Sequence, residues 1–115
     1  MSIANELKKG SAQTLVLAVL LDGPRHGYSI AREIERRSAD VLSFGEGALY
    51  PALRSMERRG LILGAWEVQE SGPARRVYSL TDEGRKTAAQ YLASWQEFSQ
   101  AFNRVIVEAP NAQPA

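Results

Sequence analysis

Arginines supply most of the side chains in this sequence whose type and spacing could do chemistry. Arg54, Arg58 and Arg59 fall between Leu49 and Arg59 with Glu57 as the one acid, and Arg75-Arg76 follow Gly72-Pro73 with no acid from Ser71 to Tyr78. A guanidinium presents a planar fork of donors that matches phosphate oxygens and the edge of guanine, so two such clusters are what duplex DNA would need. Either cluster alone reads equally well as a solvated helix face or hairpin. Tyr50 is either a packing tyrosine or a phosphate contact through its hydroxyl. His26, before Gly27, is a loop residue or a phosphate contact, because no catalytic partner can be named for it. Asp82-Glu83 reads as helix-start charge in preference to a metal site.

The composition removes most other chemistry. The 115 residues contain no cysteine and one histidine, which excludes thiolate metal sites, disulfides and cysteine nucleophiles and leaves no histidine pair for a metal. No nucleophile motif or phosphate loop is present, so an enzyme is the poorest reading, and no cofactor is expected. The length fits one folded domain, 44% hydrophobic and 23% charged. A formal net charge of +1 gives no global nucleic-acid footprint, so the argument rests on where the charges sit. Lys8-Lys9 followed by the apolar run Leu15–Leu21 imitates a secretory signal. That run has no small-residue cleavage site after it and is far short of the roughly 20 residues that cross a bilayer, so a cytoplasmic address and no membrane partner are expected.

Five elements must position these side chains. Ser11 to Leu21 is apolar on every face and predicts a helix covered all round, with one face in the core and another against a second chain. Gly27 to Arg37 is a short amphipathic helix built on Ile30 and Ile34. Ser38 to Gly45 is a loop that tucks Val41, Leu42 and Phe44 under the fold. A third helix runs from about Glu46 to Arg59, with Leu49, Leu53 and Met56 on one face and Tyr50, Arg54, Ser55 and Arg58 on the other. Pro51 is expected in its first turn, where no helical N–H is lost. Gly60 ends it and Leu61-Ile62-Leu63 re-enters the core.

From Ala65 to Leu80 the period changes to two, through Trp66, Val68, Val77 and Leu80, with a flexible tip at Ser71-Gly72-Pro73-Ala74; this predicts a hairpin. Thr81 then caps the longest helix, to about Val107. Its apolar positions Ala88, Tyr91, Trp95, Phe98, Phe102 and Val105 step by three and four, a heptad seam that predicts self-association. The expected class is mainly α with a small β-hairpin. Residues 1–80 form a winged helix-turn-helix, 81–107 a C-terminal dimerisation helix and 108–115 a disordered tail. A recognition helix fits the major groove and a hairpin tip reaches the flanking backbone. In this order the two basic clusters favour DNA. A winged helix used only for protein contacts is the alternative, and it would survive Arg54→Ala and Arg75→Ala changes.

A series of motifs then carries a family resemblance. Gly27-Tyr28-Ser29-Ile30, Gly47-Ala48-Leu49-Tyr50-Pro51-Ala52-Leu53, Met56-Glu57-Arg58-Arg59-Gly60-Leu61-Ile62 and Gly72-Pro73-Ala74-Arg75-Arg76-Val77-Tyr78-Ser79-Leu80-Thr81-Asp82-Glu83-Gly84 resemble the PadR family of bacterial transcriptional regulators. The resemblance covers about Leu7 to Val105. The single C-terminal helix looks like the small subfamily, which includes multidrug-responsive repressors.

The resemblance implies a homodimer on a pseudo-palindromic operator of double-stranded DNA, acting as a repressor that a small aromatic or hydrophobic molecule releases. It implies that Tyr50, Arg54 and Ser55 lie on the groove-facing part of the recognition helix, Arg75 and Arg76 on the wing with Gly72 at its tip. His26, Tyr28, Ala48 and Arg58 complete the DNA-binding set. At Ala48 many relatives carry a hydroxyl, so a contact there falls to backbone N–H groups. Ser55 and Met56 replace residues that are often larger or more branched, which leaves the operator open. The dimer interface implied consists of Leu17 and Leu20 on the first helix with Ala88, Tyr91, Leu92, Trp95, Phe98, Phe102 and Val105 on the last. Ser94-Trp95 resembles a pattern in which the tryptophan stacks on flat ligands between subunits, with Leu15, Phe98, Ser99 and Phe102 around it; the competing reading of Trp95 is ordinary interface core.

Overall fold

The structure is a computed structural model that describes residues 11–110; Lys8-Lys9 and the expected tail from Asn111 lie outside the described residues. Among the described residues, four helices and three strands follow in the order α1 (Ala12–Leu20), β1 (Arg25–His26), α2 (Gly27–Arg37), α3 (Glu46–Arg58), β2 (Ile62–Glu67), β3 (Arg75–Leu80) and α4 (Asp82–Val107). The strands form one antiparallel sheet ordered β1-β3-β2.

The core forms where the periodic apolar positions meet: Val16, Leu17, Val19 and Leu20 of α1, Ile30 and Ile34 of α2, and Leu49, Leu53 and Met56 of α3 are all buried. Leu61, Ile62, Tyr78, Leu80 and Ala88 close it from the sheet side. One consequence corrects the dimer expectation. Leu17 is 0% and Leu20 3% exposed, and Ala88 is fully buried. These three residues serve the chain's own core and leave no side-chain surface for a second copy; on α1 the residues that keep some surface include half-buried Ala12, Gln13, Leu15 and Ala18, followed by exposed Leu21 at its C-cap.

Local chemistry sets the boundaries. Gly60 has φ +74°, and with the Leu61 N–H on the Met56 carbonyl (3.0 Å) and the Gly60 N–H on that of Glu57 (3.1 Å) it ends α3 in a Schellman motif. Pro51 departs from expectation. The first helical bonds run from Ala48 and Leu49 N–H to the Gly45 carbonyl, so Pro51 lies in the second turn of α3 and removes the donor that Gly47 would have met. Both residues are exposed, so solvent can reach that carbonyl.

Three apolar residues also face outward. Val41 is 74% exposed, while Leu42 and Phe44 pack inward as expected. Leu63 stands out from the wing because a strand alternates sides and burying Ile62 turns it away, and Val68, just past the end of β2, is exposed as well. Arg25-His26 pair with Tyr78 and Val77, which makes the expected hairpin a three-stranded sheet. Two residues long, this strand carries no detectable period of its own.

Thr81 caps α4, accepting from the Gly84 N–H at 3.0 Å, with Asp82 and Glu83 in the first turn. Only the start of α4 is anchored. Gly84 and Ala88 are buried, Thr87 and Leu92 half-buried, and every residue from Ala93 to Pro110 is exposed. The molecule is accordingly long, 58 × 29 × 22 Å.

Candidate nucleic-acid interface

Helix α3 turns its apolar stripe inward, which leaves Arg54 and Arg58, one turn apart, on the outer face; both are exposed and have no ion-pair partner among the described residues. Between this face and the sheet lies a crevice of about 500 Å³ lined by Tyr50, Arg54, Glu57, Arg58, Arg76 and Tyr78. Four of the expected DNA-binding residues therefore meet in one place. Tyr50 is half-buried with its ring against the start of α2, where a Cβ on Gly27 would come within 3.1 Å of it. Burial pushes the Tyr78 phenol up, with the neighbouring Arg76 charge pulling the other way.

A second group forms across the sheet. Arg75 lies 3.6 Å from Glu67 Oε1, and His26 Nε2 lies 3.4 Å from the same oxygen. Glu67 and Arg75 are paired residues in the ladder between β2 and β3. The remaining expected positions scatter around these two groups. Tyr28 is exposed at the start of α2 beneath Arg32 (5.9 Å). Ala48 is exposed in the first turn of α3, Ser55 is half-buried, and Gly72 stands at the wing tip with φ +90°.

Glu57 and Tyr78 are not marked as site residues by the sequence, yet they line the crevice; Trp66 and Gly64, also unmarked, lie against Arg76. Glu57 pairs with Arg76; the arginines next to it in sequence do not take it. Arg59 instead donates to Gln13 Oε1 at 2.5 Å. Side chains that meet only after α3 and β3 have packed share no spacing that a linear reading could detect.

The aromatic residues of α4 divide between two hollows. A groove of about 510 Å³ between α1 and α4 is lined by Thr14, Leu15, Leu42, Leu92, Trp95, Gln96 and Ser99 among others. Leu15, Trp95 and Ser99 of the expected effector set thus converge. Phe98 lies in a separate hollow with Ser94 and the other side of Trp95, and Phe102 lines neither. Trp95 and Phe98 meet edge to face at 5.8 Å, and Phe98 and Phe102 lie 5.7 Å apart. Each of the three is more than one third exposed, as are Tyr91 and Val105.

This geometry is that of a wing and a basic helix sharing one crevice, and the family model described as the transcriptional regulator PadR-like family matches residues 16–90. The chain belongs to the PadR-like family of transcriptional regulators. Relatives in this family are transcription regulators, not enzymes, and bind DNA. A PadR family transcription regulator from hypervirulent Clostridium difficile R20291 has a similar structure, with TM-score 0.74 and 28% identity over 84% of this chain and 99% of that one. Transcriptional regulator Rv3488 of Mycobacterium tuberculosis is 28% identical over 95 residues, 83% of this PadR-family chain and 85% of that protein. An uncharacterized 37.1 kDa protein in transposon TN4556 of Streptomyces fradiae is 40% identical over 80 residues, but this chain spans only 21% of its length. No helix among the described residues is long and apolar enough to cross a membrane.

Proposed function

We propose that this PadR-family chain is a homodimeric, sequence-specific repressor that two copies of α3 and the wing hold on a pseudo-palindromic operator. The observation that carries this reading is the crevice between α3 and β3, with exposed Arg54 and Arg58 on its helix side and Arg76 on its strand side, and with Arg75 exposed on the other side of β3. An α-helix enters the major groove, and arginines at its face and flank supply base-edge and phosphate donors. Residues 1–80 are the DNA-binding unit and 81–107 the dimerisation helix. The exposed stripe Tyr91, Trp95, Phe98, Phe102 and Val105 supports the dimer, since a lone helix leaves three large aromatic rings in water. Half-sites then lie about one helical turn, near 34 Å, apart.

Repression acts by occluding the promoter. A small aromatic or hydrophobic molecule in the groove beside Trp95 releases the operator if it binds the non-binding arrangement of the dimer more tightly. A regulator of transcription works where the DNA is, so a cytoplasmic address is part of the same proposal.

Fluorescence anisotropy of a labelled duplex from upstream of the chain's own coding sequence, compared with a shuffled duplex at several salt concentrations, tests the reading. Preference for the native duplex by at least about a thousandfold, with affinity falling steeply as salt rises, is the expected result. Equal, weak binding of both sequences overturns self-regulation. No binding of either duplex at low salt overturns the DNA-binding role.

A further inference from the structure

One arginine in the crevice has surroundings unlike the others. Arg54 and Arg58 are exposed, and Arg75, outside the crevice, is exposed with only a 3.6 Å pairing to the exposed Glu67, whereas the Arg76 side chain keeps 31% of its surface. Its guanidinium is paired with the Glu57 carboxylate of α3. It lies 5.5 Å from the Trp66 ring centroid and 5.9 Å from that of Tyr78. Trp66 is its partner across the ladder, and Gly64 is the partner of Tyr78. The missing side chain at residue 64 makes room for the guanidinium: a Cβ there would come within 2.5 Å of Arg76 Nε. An anion, two aromatic neighbours and a vacated Cβ position together hold a planar cation in one place.

We propose that Arg76 is a positioning residue that ties the wing to the recognition helix through Glu57, and that Arg75 is the wing cation left for phosphate. This assignment rests on the DNA-binding reading above. Glu57 sits between Arg54 and Arg58, so the helix face that would enter the groove carries an acid that repels phosphate unless a cation covers it. If Arg76 turned to DNA it would leave that carboxylate half-buried and unpaired, which is costly. Staying on Glu57, it masks the acid and sets the distance between α3 and β3 at the turn that carries both groove-facing arginines.

The two roles predict opposite signs for changes that leave Arg76 itself intact. Glu57→Gln removes a negative charge from the helix, and Gly64→Ala evicts the guanidinium while keeping every charge. Binding is measured by anisotropy on a duplex that the full-length protein selects from a randomised pool, with thermal melting of each variant to verify folding. Weakening by about tenfold in Glu57→Gln, Gly64→Ala and Arg76→Gln is expected, with the Glu57→Gln/Arg76→Gln double variant little worse than either single one. The slope of log affinity against log salt stays unchanged in all of them. If Arg76 meets phosphate instead, Glu57→Gln and Gly64→Ala leave binding equal or tighter, and Arg76→Gln reduces the slope by about 0.9 for each phosphate it no longer neutralises; that result overturns the proposal. A wild-type protein that selects no duplex overturns the DNA-binding reading and this role with it. For variants that melt early, additive effects of Glu57→Gln and Arg76→Gln on the unfolding free energy of the DNA-free protein also overturn it, and coupled effects support it.

Discussion

The Leu61 carbonyl oxygen lies so close to Gly84 that a Cβ at residue 84 would collide with it. The approach joins the start of α4 to the turn after α3, and Thr81 secures the same junction. Its backbone N–H donates to the Leu61 carbonyl at 3.1 Å, and its hydroxyl donates to that of Gly60 at 2.6 Å while accepting from Gly84. The orientation of the long helix relative to the recognition helix therefore depends on Gly60 and Leu61 after α3 and on Thr81 and Gly84 at the start of α4.

Substitution here is expected to cost stability through two mechanisms. Thr81→Ala removes the cap and should lower the unfolding free energy by about 1 kcal/mol. Gly84→Ala meets backbone, which cannot rotate away as a side chain would, and should cost more than Thr81→Ala. Urea denaturation of both variants checks the order.

Arg54→Ala and Arg75→Ala remove cations that have room to meet DNA. Each is expected to weaken operator binding, and a cation that neutralises phosphate should, once removed, flatten the salt dependence by about 0.9 per phosphate. If Arg54 reads a base, its removal should instead relax preference at one operator position by about 1–3 kcal/mol. Anisotropy over a salt series with single-base operator variants separates the two.

Trp95, Phe98 and Phe102 stand on the exposed part of α4 beyond Leu92. Phe98→Asp places a charge in the middle of that stripe, 58% exposed in the single chain. The expected outcome is a monomer by sedimentation velocity with an unchanged melting profile for the winged-helix part. A protein that is monomeric before substitution removes the dimer from the proposal.

The groove beside Trp95 gives a fluorescence test, with Trp66→Phe silencing the other tryptophan. A planar aromatic dye that fills the groove should quench Trp95 and lower operator affinity in parallel. Quenching with no change in affinity would mean that the groove binds without regulating.

Acid sensitivity should be traceable to Glu33. Hydrogen bonds from Arg36 and Arg37 hold its carboxyl at about 2, against an ordinary value of 4.5. A carboxylate depressed on folding contributes stability above the unfolded value and loses it as pH falls toward the folded one. Glu33→Gln should therefore be less stable than the parent at pH 6, and the gap should close between about pH 4.5 and 2. Asp22 also pairs with Arg37 and ties the α1–α2 connection to the same cluster, so Asp22→Asn should lower stability at neutral pH, which urea melts would show.

Much of this molecule is legible in the residues. Leu49, Leu53 and Met56 mark the inner face of α3 by spacing alone, and that spacing also fixes Arg54 and Arg58 outside. Thr81, Gly60 and the step of three and four along α4 are signals read within a few residues of themselves. The expected crevice residues Tyr50, Arg54, Arg58 and Arg76 meet because α3 and β3 form where their periods predict. Pro51 and Leu63 lie one turn and one strand face away from their expected places, since the outcome depends on a helix start and a register that neighbouring residues do not settle.

The sequence by itself determined the elements, their order, the two basic clusters and the aromatic stripe, because helix and strand periods, caps and stop signals act over one or two turns of chain. Tertiary structure alone decided that Leu17 and Leu20 face the core, that Arg25-His26 add a third strand, and that Arg75 is exposed while Arg76 is tied to Glu57. Those outcomes depend on which surfaces meet when α3 and β3 pack, and two adjacent arginines on a strand point to opposite sides, where different neighbours receive them.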